Sequence, residues 1–170
     1  SINIVEMAKV ENLDLPKMKE HYLAVGFPIL PLVKQLTGLC DAESAKWVHW
    51  GATTQDIIDT GIALQMKEGL AILENDLGKI AKAIYLLSEK HRHTVMAGRT
   101  FKQHAAPITF GFKAAVWLDE IYRHIERLES VKKNSLLCSY GGAVGNLAAL
   151  GSNGTEVLKK LADELNLEVP

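Results

Sequence analysis

The sequence predicts an all-α protein dominated by two long antiparallel helices, near residues 54–92 and 106–133. Three observations carry this expectation. No proline falls between Ile57 and Lys90. Within that stretch Met66, Leu70, Leu73, Leu77, Ile80, Ile84 and Leu87 alternate steps of four and three, which keeps them on one side of a helix. And no segment shows a convincing two-residue alternation; the best strand candidate, Ser135–Tyr140, is short.

The elements follow in order. Ile4–Asn12, Lys17–Val25 and Ile29–Thr37 read as shorter helices, broken at Pro16 and at Gly26-Phe27-Pro28. The first long helix opens at a threonine-rich block, Gly51-Ala52-Thr53-Thr54-Gln55-Asp56. Its reach, roughly 30 residues, exceeds the usual mean of about 11–12. Gly61, Gly69 and Gly78 each weaken it by about 1 kcal/mol relative to Ala, so close approach of partner helices is expected there. A polar connection, Met96–Ala106, leads to the second long helix, expected to start near Pro107 and to run to about Lys133. Its apolar face is Ile108, Phe112, Ala115, Leu118, Ile121 or Tyr122, Ile125 and Leu128. A glycine-rich turn around Gly141–Gly145 precedes a last helix, Thr155 to about Leu165. Each long helix alone would leave an apolar stripe in water, so they pair within a subunit, between subunits, or both.

Composition excludes several classes. The 170 residues carry 19 basic and 20 acidic side chains, a formal net charge of -1. That balance argues against a nucleic-acid or anionic-membrane surface, which needs clustered positive charge. No apolar run is long enough to span a bilayer. The first residues lack the basic head and small-residue cleavage site of a signal peptide. Cys40 and Cys138 are the two cysteines, and so few, so far apart, point to reduced thiols in a cytoplasmic protein. The chain has no initiator Met and closes on an apolar segment, Leu165–Pro170, so a piece of a longer polypeptide is expected.

Three segments concentrate polar chemistry. In Trp47–Thr60, Thr53 or Thr54 caps a helix and Asp56 suits the positive end of its dipole. Simple capping needs one such residue, whereas hydroxyls with free backbone N–H groups at a helix start also hold a carboxylate. The second segment, Met96–Gly111, supplies Arg99, Thr100 and Lys102 as anion donors, the Gln103 amide and the titratable His104. It reads either as a solvated basic turn or as a substrate-binding loop between helices. The third, Gly141-Gly142-Ala143-Val144-Gly145-Asn146, lacks the G-x-G-x-x-G spacing and the βαβ context of a dinucleotide site. It reads as a turn where backbone approaches a ligand or another helix. His91 and His93 alone are too few for a zinc site, so no metal is expected. Flavin, nicotinamide and phosphate-loop motifs are also missing.

In this order and spacing, the three segments resemble the superfamily of fumarase, aspartase, argininosuccinate lyase and adenylosuccinate lyase. Its members carry a threonine/serine-rich block opening the first long central helix, a G-R-T-H-x-x-x-A-x-P block before the second, and an S-G-A-V-G-T-like turn. Here these are Gly51–Asp56, Gly98–Pro107 and Tyr140–Asn146. The wording is more similar still to the 3-carboxy-cis,cis-muconate cycloisomerase family, through His49–Thr60, Met96–Trp117 and Gly141–Leu150. The lyases place a histidine after G-R-T; this chain has Phe101 there, and the cycloisomerases an aromatic Trp. The superfamily's S-S-x-M-P-x-K-x-N loop, thought to supply a serine base, does not occur in these residues.

The resemblance implies a fumarase/aspartase-like bundle. Residues 1–50 would end an N-terminal helical domain, and 51–170 would form the first part of the central bundle, in a homotetramer. It implies a cofactor-free cycloisomerase acting on a small polycarboxylate. One carboxylate of 3-carboxy-cis,cis-muconate adds across a conjugated double bond, and a proton goes to the carbon beside another carboxylate. Donors aimed at the enolate-like charge that builds there stabilise the transition state. On that basis Thr53, Thr54 and Gln55 bind substrate carboxylate. Arg99, Thr100 and Gln103 organise a second wall, with Thr100 also placed in the catalytic set. Phe101 packs against the diene, and His104 is a candidate proton carrier. The alternatives are an adenylosuccinate lyase-like β-elimination of fumarate and, from another class, a non-catalytic helical scaffold. The fragment by itself is expected to be inactive.

Overall fold

The computed structural model describes residues 2–170. Among them, helices α1 (Ile2–Met7), α2 (Leu15–Val25), α3 (Ile29–Leu39) and α4 (Ala42–Ala45) precede the 37-residue α5 (Thr54–Lys90). A hairpin, β1 (Val95–Thr100) and β2 (Gln103–Thr109), leads into α6 (Phe110–Ser135), and α7 (Gly154–Leu165) closes the order. The fold is all-α apart from that one two-stranded sheet. No described helix is long and apolar enough to cross a membrane.

By its contacts the chain forms two compact units: residues up to Leu64 together with Leu137–Pro170, and Gln65–Leu136. In the first unit, short helices start where side chains can cap them. Asp14 accepts from the Lys17 N–H at 3.0 Å with Pro16 in the first turn of α2, and Asp41 accepts from Glu43 and Ser44 at the start of α4. Gly26, at φ 76°, ends α2 in the left-handed conformation that glycine adopts without strain. Ser135–Tyr140, the best strand candidate in a sequence without convincing alternation, forms no strand. Leu137 makes a single parallel bridge to Glu168, with the Cys138 N–H donating to the Glu168 carbonyl at 2.8 Å. Cys40 and Cys138 are free thiols.

In the second unit α5 and α6 run antiparallel. Ser88 donates to the Gly111 carbonyl at 3.0 Å near one end, and Lys132 meets Glu74 at 2.9 Å nearer the other. The inward face of α5 is Leu70, Glu74, Leu77, Ala81, Ile84, Leu87 and Ser88, half-buried or buried. The expected seam is therefore half right. Leu70, Leu77, Ile84 and Leu87 lie on it, whereas Met66, Leu73 and Ile80 stay more than a third exposed, on a second apolar stripe. Within the chain, no partner helix approaches the three α5 glycines: a Cβ at Gly61, Gly69 or Gly78 would find no atom of this chain within 4 Å.

The largest correction concerns residues 95–109. The connection expected as a polar turn is an antiparallel hairpin, with Val95 opposite Thr109, Ala97 opposite Pro107, Arg99 opposite His104 and Thr100 opposite Gln103. Pro107, expected to open the second helix, lies in β2. It is tolerated because both strands of a two-stranded sheet are edges. Helix α6 starts three residues later at Phe110, capped by the Thr109 hydroxyl, which accepts from the Phe112 N–H. The shift changes which residues face α5. Gly111 and Ala114 are innermost, and Phe112 and Ala115 face outward, while Leu118, Ile121, Ile125 and Leu128 lie inward as expected.

Candidate active site

The threonine block is organised by Asp56. This side chain is 5% exposed, and its carboxylate accepts three backbone N–H groups: Thr53 at 2.8 Å, Gly142 at 2.9 Å and Gly141 at 3.0 Å. The first bond is the reciprocal half of a capping box, in which a carboxylate three positions into a helix reaches back to the cap residue. The other two come from the glycine turn. One helical turn further on, the buried Thr60 hydroxyl donates to the Ser139 carbonyl at 2.8 Å and accepts from its N–H at 3.0 Å. The Tyr140 hydroxyl donates to the Trp50 carbonyl at 2.6 Å. The turn before α5, the start of α5 and the glycine turn are thus joined into one piece.

A cavity of about 430 Å³ opens against this piece, lined among others by Trp47, His49, Trp50, Asp56, Thr60 and Tyr140. Trp47 and Trp50 meet edge to face at 5.6 Å, and both remain more than half exposed. Burial, and then the charge of Asp56, push the Tyr140 phenol above its ordinary value. Burial likewise pushes the Cys138 thiol up, against a lowering hydrogen bond from Thr60. Both groups are therefore neutral donors near neutral pH rather than nucleophiles. His49 holds φ 62°, a left-handed conformation uncommon outside glycine that histidine, like asparagine and aspartate, adopts more readily than most residues.

Of the residues expected to bind substrate here, Thr53 and Thr54 are half-buried beside the Asp56 cradle. Gln55 is exposed and donates to Asp59 at 2.6 Å. One expectation changes: the Thr53 N–H is not free to hold a ligand carboxylate, because Asp56 already occupies it.

The other expected residues belong to the second unit and gather on the hairpin. Phe101 and Lys102 form its two-residue turn, with φ 45° and 61°, the signature of a type I′ turn. Thr100 and Gln103 close the turn as one cross-strand pair, and Arg99 and His104 form the next. All six are exposed, and Phe101 reaches 95%. Gly98 lies at the irregularity between Ala97 and Arg99, where a Cβ would stand 2.5 Å from the Ala106 carbonyl oxygen. Only glycine lets the two strands approach there. Arg99 also lines a hollow of about 270 Å³ with Met96, Ile108, Phe112, Lys113 and Trp117. The Lys113 amine sits 5.3 Å above the Trp117 ring. The expected residues thus form two groups, Thr53–Gln55 in one unit and Arg99–His104 in the other.

Sequence reasoning did not single out His49, Tyr140 or the reach of Asp56 to the glycine turn. The spacing from Thr53 to Asp56 signals a capping box, but no local pattern connects Asp56 to glycines 85 and 86 positions later.

Long paired helices, a threonine block at a helix start and a donor-bearing hairpin define the helical class to which fumarate-type lyases belong. Residues 24–169 match the family model described as Lyase, and the chain belongs to that family, within the fumarase/adenylosuccinate lyase superfamily. It is similar to adenylosuccinate lyase of Pyrococcus abyssi, 44% identical over 97% of this chain and 36% of that protein. It is similar at nearly the same level to 3-carboxy-cis,cis-muconate cycloisomerase of Bradyrhizobium diazoefficiens, 41% identical over 95% of this chain and 37% of that protein. Among solved structures, a fumarate lyase from Mesorhizobium sp. BNC1 superimposes with a TM-score of 0.93 at 46% identity, covering 99% of this chain and 40% of that one. The chain thus spans little more than a third of the length of the curated relatives it matches.

Proposed function

We propose that the protein is a cofactor-independent cycloisomerase that converts 3-carboxy-cis,cis-muconate to a carboxymuconolactone. The observation that carries this reading is the hairpin tip. There the fully presented side chain is Phe101, an aromatic without a transferable proton, flanked by Arg99, Thr100, Gln103 and His104. A hydrocarbon face suits a planar conjugated diene, and the cationic and amide donors beside it suit carboxylates. In this reading Thr53, Thr54 and Gln55 hold one substrate carboxylate by their side chains. Arg99, Thr100 and Gln103 stabilise charge developing on another, and His104 carries the proton. The cycloisomerase relative at 41% identity supports it.

A second reading, β-elimination of fumarate from adenylosuccinate, is favoured by the relative at 44% identity. Assay of the protein expressed from its complete reading frame decides between them. The cycloisomerase reading expects loss of the muconate diene absorbance on adding enzyme and no cleavage of adenylosuccinate. Turnover of adenylosuccinate without lactonisation sinks it, and turnover of neither returns the fold to a scaffold role.

The same reading includes a homotetramer in which residues 51–170 contribute to a shared central bundle and 1–50 belong to an N-terminal helical domain. Its support is apolar surface left uncovered on both long helices, including Ile62, Ile72 and Leu73 on α5 and Phe112, Val116 and Trp117 on α6. Light scattering that finds a monomer at micromolar concentration removes this part of the reading.

A further inference from the structure

Asp56 does more than cap a helix. A capping-box carboxylate needs one bond, to the N–H of the cap residue. Asp56 makes that bond to Thr53 and makes two more to Gly141 and Gly142, so that both oxygens are used. Its side chain is nearly sealed from water, and an anion so placed is stabilised by donors aimed at it and by the positive end of the α5 dipole. The turn it holds is shaped for this. Gly142 holds φ 76°, and a Cβ there would stand 3.0 Å from the Gly51 carbonyl oxygen. A Cβ on Gly141 would stand 2.9 Å from the Gly145 Cα. Both glycines are needed to bring two successive N–H groups against one carboxylate.

We propose that Asp56 is the resident anion of a backbone donor cradle, a positioning residue that locks the 141–145 turn onto the start of α5. The Thr53, Gly141 and Gly142 N–H groups are thereby spent internally. A ligand carboxylate at this end of α5 meets the Thr53 and Thr54 hydroxyls instead, a corollary that rests on the proposed function, whereas the cradle itself rests on geometry alone. The chemistry also explains why the residue is Asp. A carboxylate is acceptor-only, whereas an Asn of the same shape would turn an NH₂ against the donors.

The test is chemical rescue. Asp56→Ala leaves three converging N–H groups around a space that a small carboxylate fills. The variant is expected to melt roughly 5–10 °C below wild type, and formate is expected to recover a substantial part of that loss. Chloride at matched ionic strength is not. In NMR spectra the Gly141 and Gly142 amide protons should shift upfield in the variant and return downfield with formate, while formate leaves wild type unchanged. Formate that acts no differently from chloride overturns the proposal. Should Asp56→Ala fail to fold, Asp56→Asn serves: displaced Gly141 and Gly142 amide signals support the cradle, and wild-type positions overturn it. These readouts involve no substrate, so failure of the proposed activity and failure of this inference are told apart.

Discussion

The two regions that carry the donor groups are held in opposite ways. In the first unit, the glycine turn is fixed to α5 through side chains, Asp56 and Thr60, that are buried and fully engaged with backbone groups. In the second unit, the tip of the hairpin is held by backbone register, and Arg99, Thr100, Phe101, Gln103 and His104 are exposed. A segment anchored by side chains can specify one conformation but spends its polar groups doing so. A segment anchored by its backbone keeps its exposed side chains for a ligand or a partner. The same contrast extends to the joints. The glycine turn uses positive φ to aim N–H groups, and the base of the hairpin uses Gly111 to let α6 touch the end of α5.

Among the glycine and turn replacements, that joint gives the largest expected effect. A Cβ at Gly111 would lie 2.6 Å from the Ser88 carbonyl oxygen and 2.7 Å from the Arg92 Cα, both backbone. Gly111→Ala gains about 1 kcal/mol of helix propensity, but rigid backbone on both sides cannot move aside, so overpacking costs about 3 kcal/mol, the top of its usual range. A net loss of about 2 kcal/mol in urea unfolding is expected. Unchanged stability would show that the two helices slide freely at this point. In the first unit Gly142→Ala places a side chain at φ 76° and 3.0 Å from the Gly51 carbonyl, at a cost of about 1–2 kcal/mol. Because it strains the turn that Asp56 holds, it should also disturb the Gly141 amide signal. Loss of stability without that change would separate the turn from the cradle.

The hairpin turn should respond with the opposite sign. Asn-Gly is favoured in a type I′ turn, and Phe101 and Lys102 occupy left-handed conformations instead. Replacing both, Phe101→Asn with Lys102→Gly, should stabilise the protein by roughly 1 kcal/mol while lowering turnover of the proposed substrate. A gain in both would mean that the aromatic tip has no part in binding.

Much of the helical architecture was legible because it is periodic. The extent of α5, the short helices α2 and α3, and the Leu118–Leu128 face of α6 follow from spacing that any helix must obey. The hairpin was not legible for physical reasons. Val95–Thr100 carries no two-residue alternation because it has little core to face, and its turn is Phe-Lys rather than a glycine or asparagine pair. A proline in β2 then imitates a helix start. The split of the α5 seam was hidden as well. Leu70 and Leu77 face inward while Leu73 and Ile80 do not, because the intramolecular partner covers one stripe and Glu74, Ala81 and Ser88 share it. The candidate site was half legible. Its residue types stand out in the chain, but Asp56 reaching residues 85 and 86 positions away has no local signal.

The smallest effect expected compares two carboxylates. Asp56 is buried against backbone N–H groups, whereas Glu74 leaves 44% of its side chain exposed and pairs with the Lys132 amine, which Glu129 shares at 3.2 Å. The Lys132 hydrogen bond holds the Glu74 carboxyl below its ordinary value, with Glu129 second. Glu74 in turn, followed by Glu129, raises the Lys132 amine. A depressed carboxyl stabilises the fold above its unfolded value, and that contribution fades as pH falls through the depressed one. A raised amine stabilises below the ordinary lysine value, and that contribution fades as pH rises through the raised one. The pair therefore favours the fold across the neutral range and loses its effect at both the acid and the alkaline end. Solvent and salt screen it, and Glu129 remains as a substitute partner, so Glu74→Gln should lower the melting temperature less than Gly142→Ala does. The difference from wild type should shrink in acid and in concentrated salt. A Glu74→Gln loss as large as that of Asp56→Asn, and insensitive to salt, would show that an exposed ion pair holds the second unit as firmly as the buried anion holds the first.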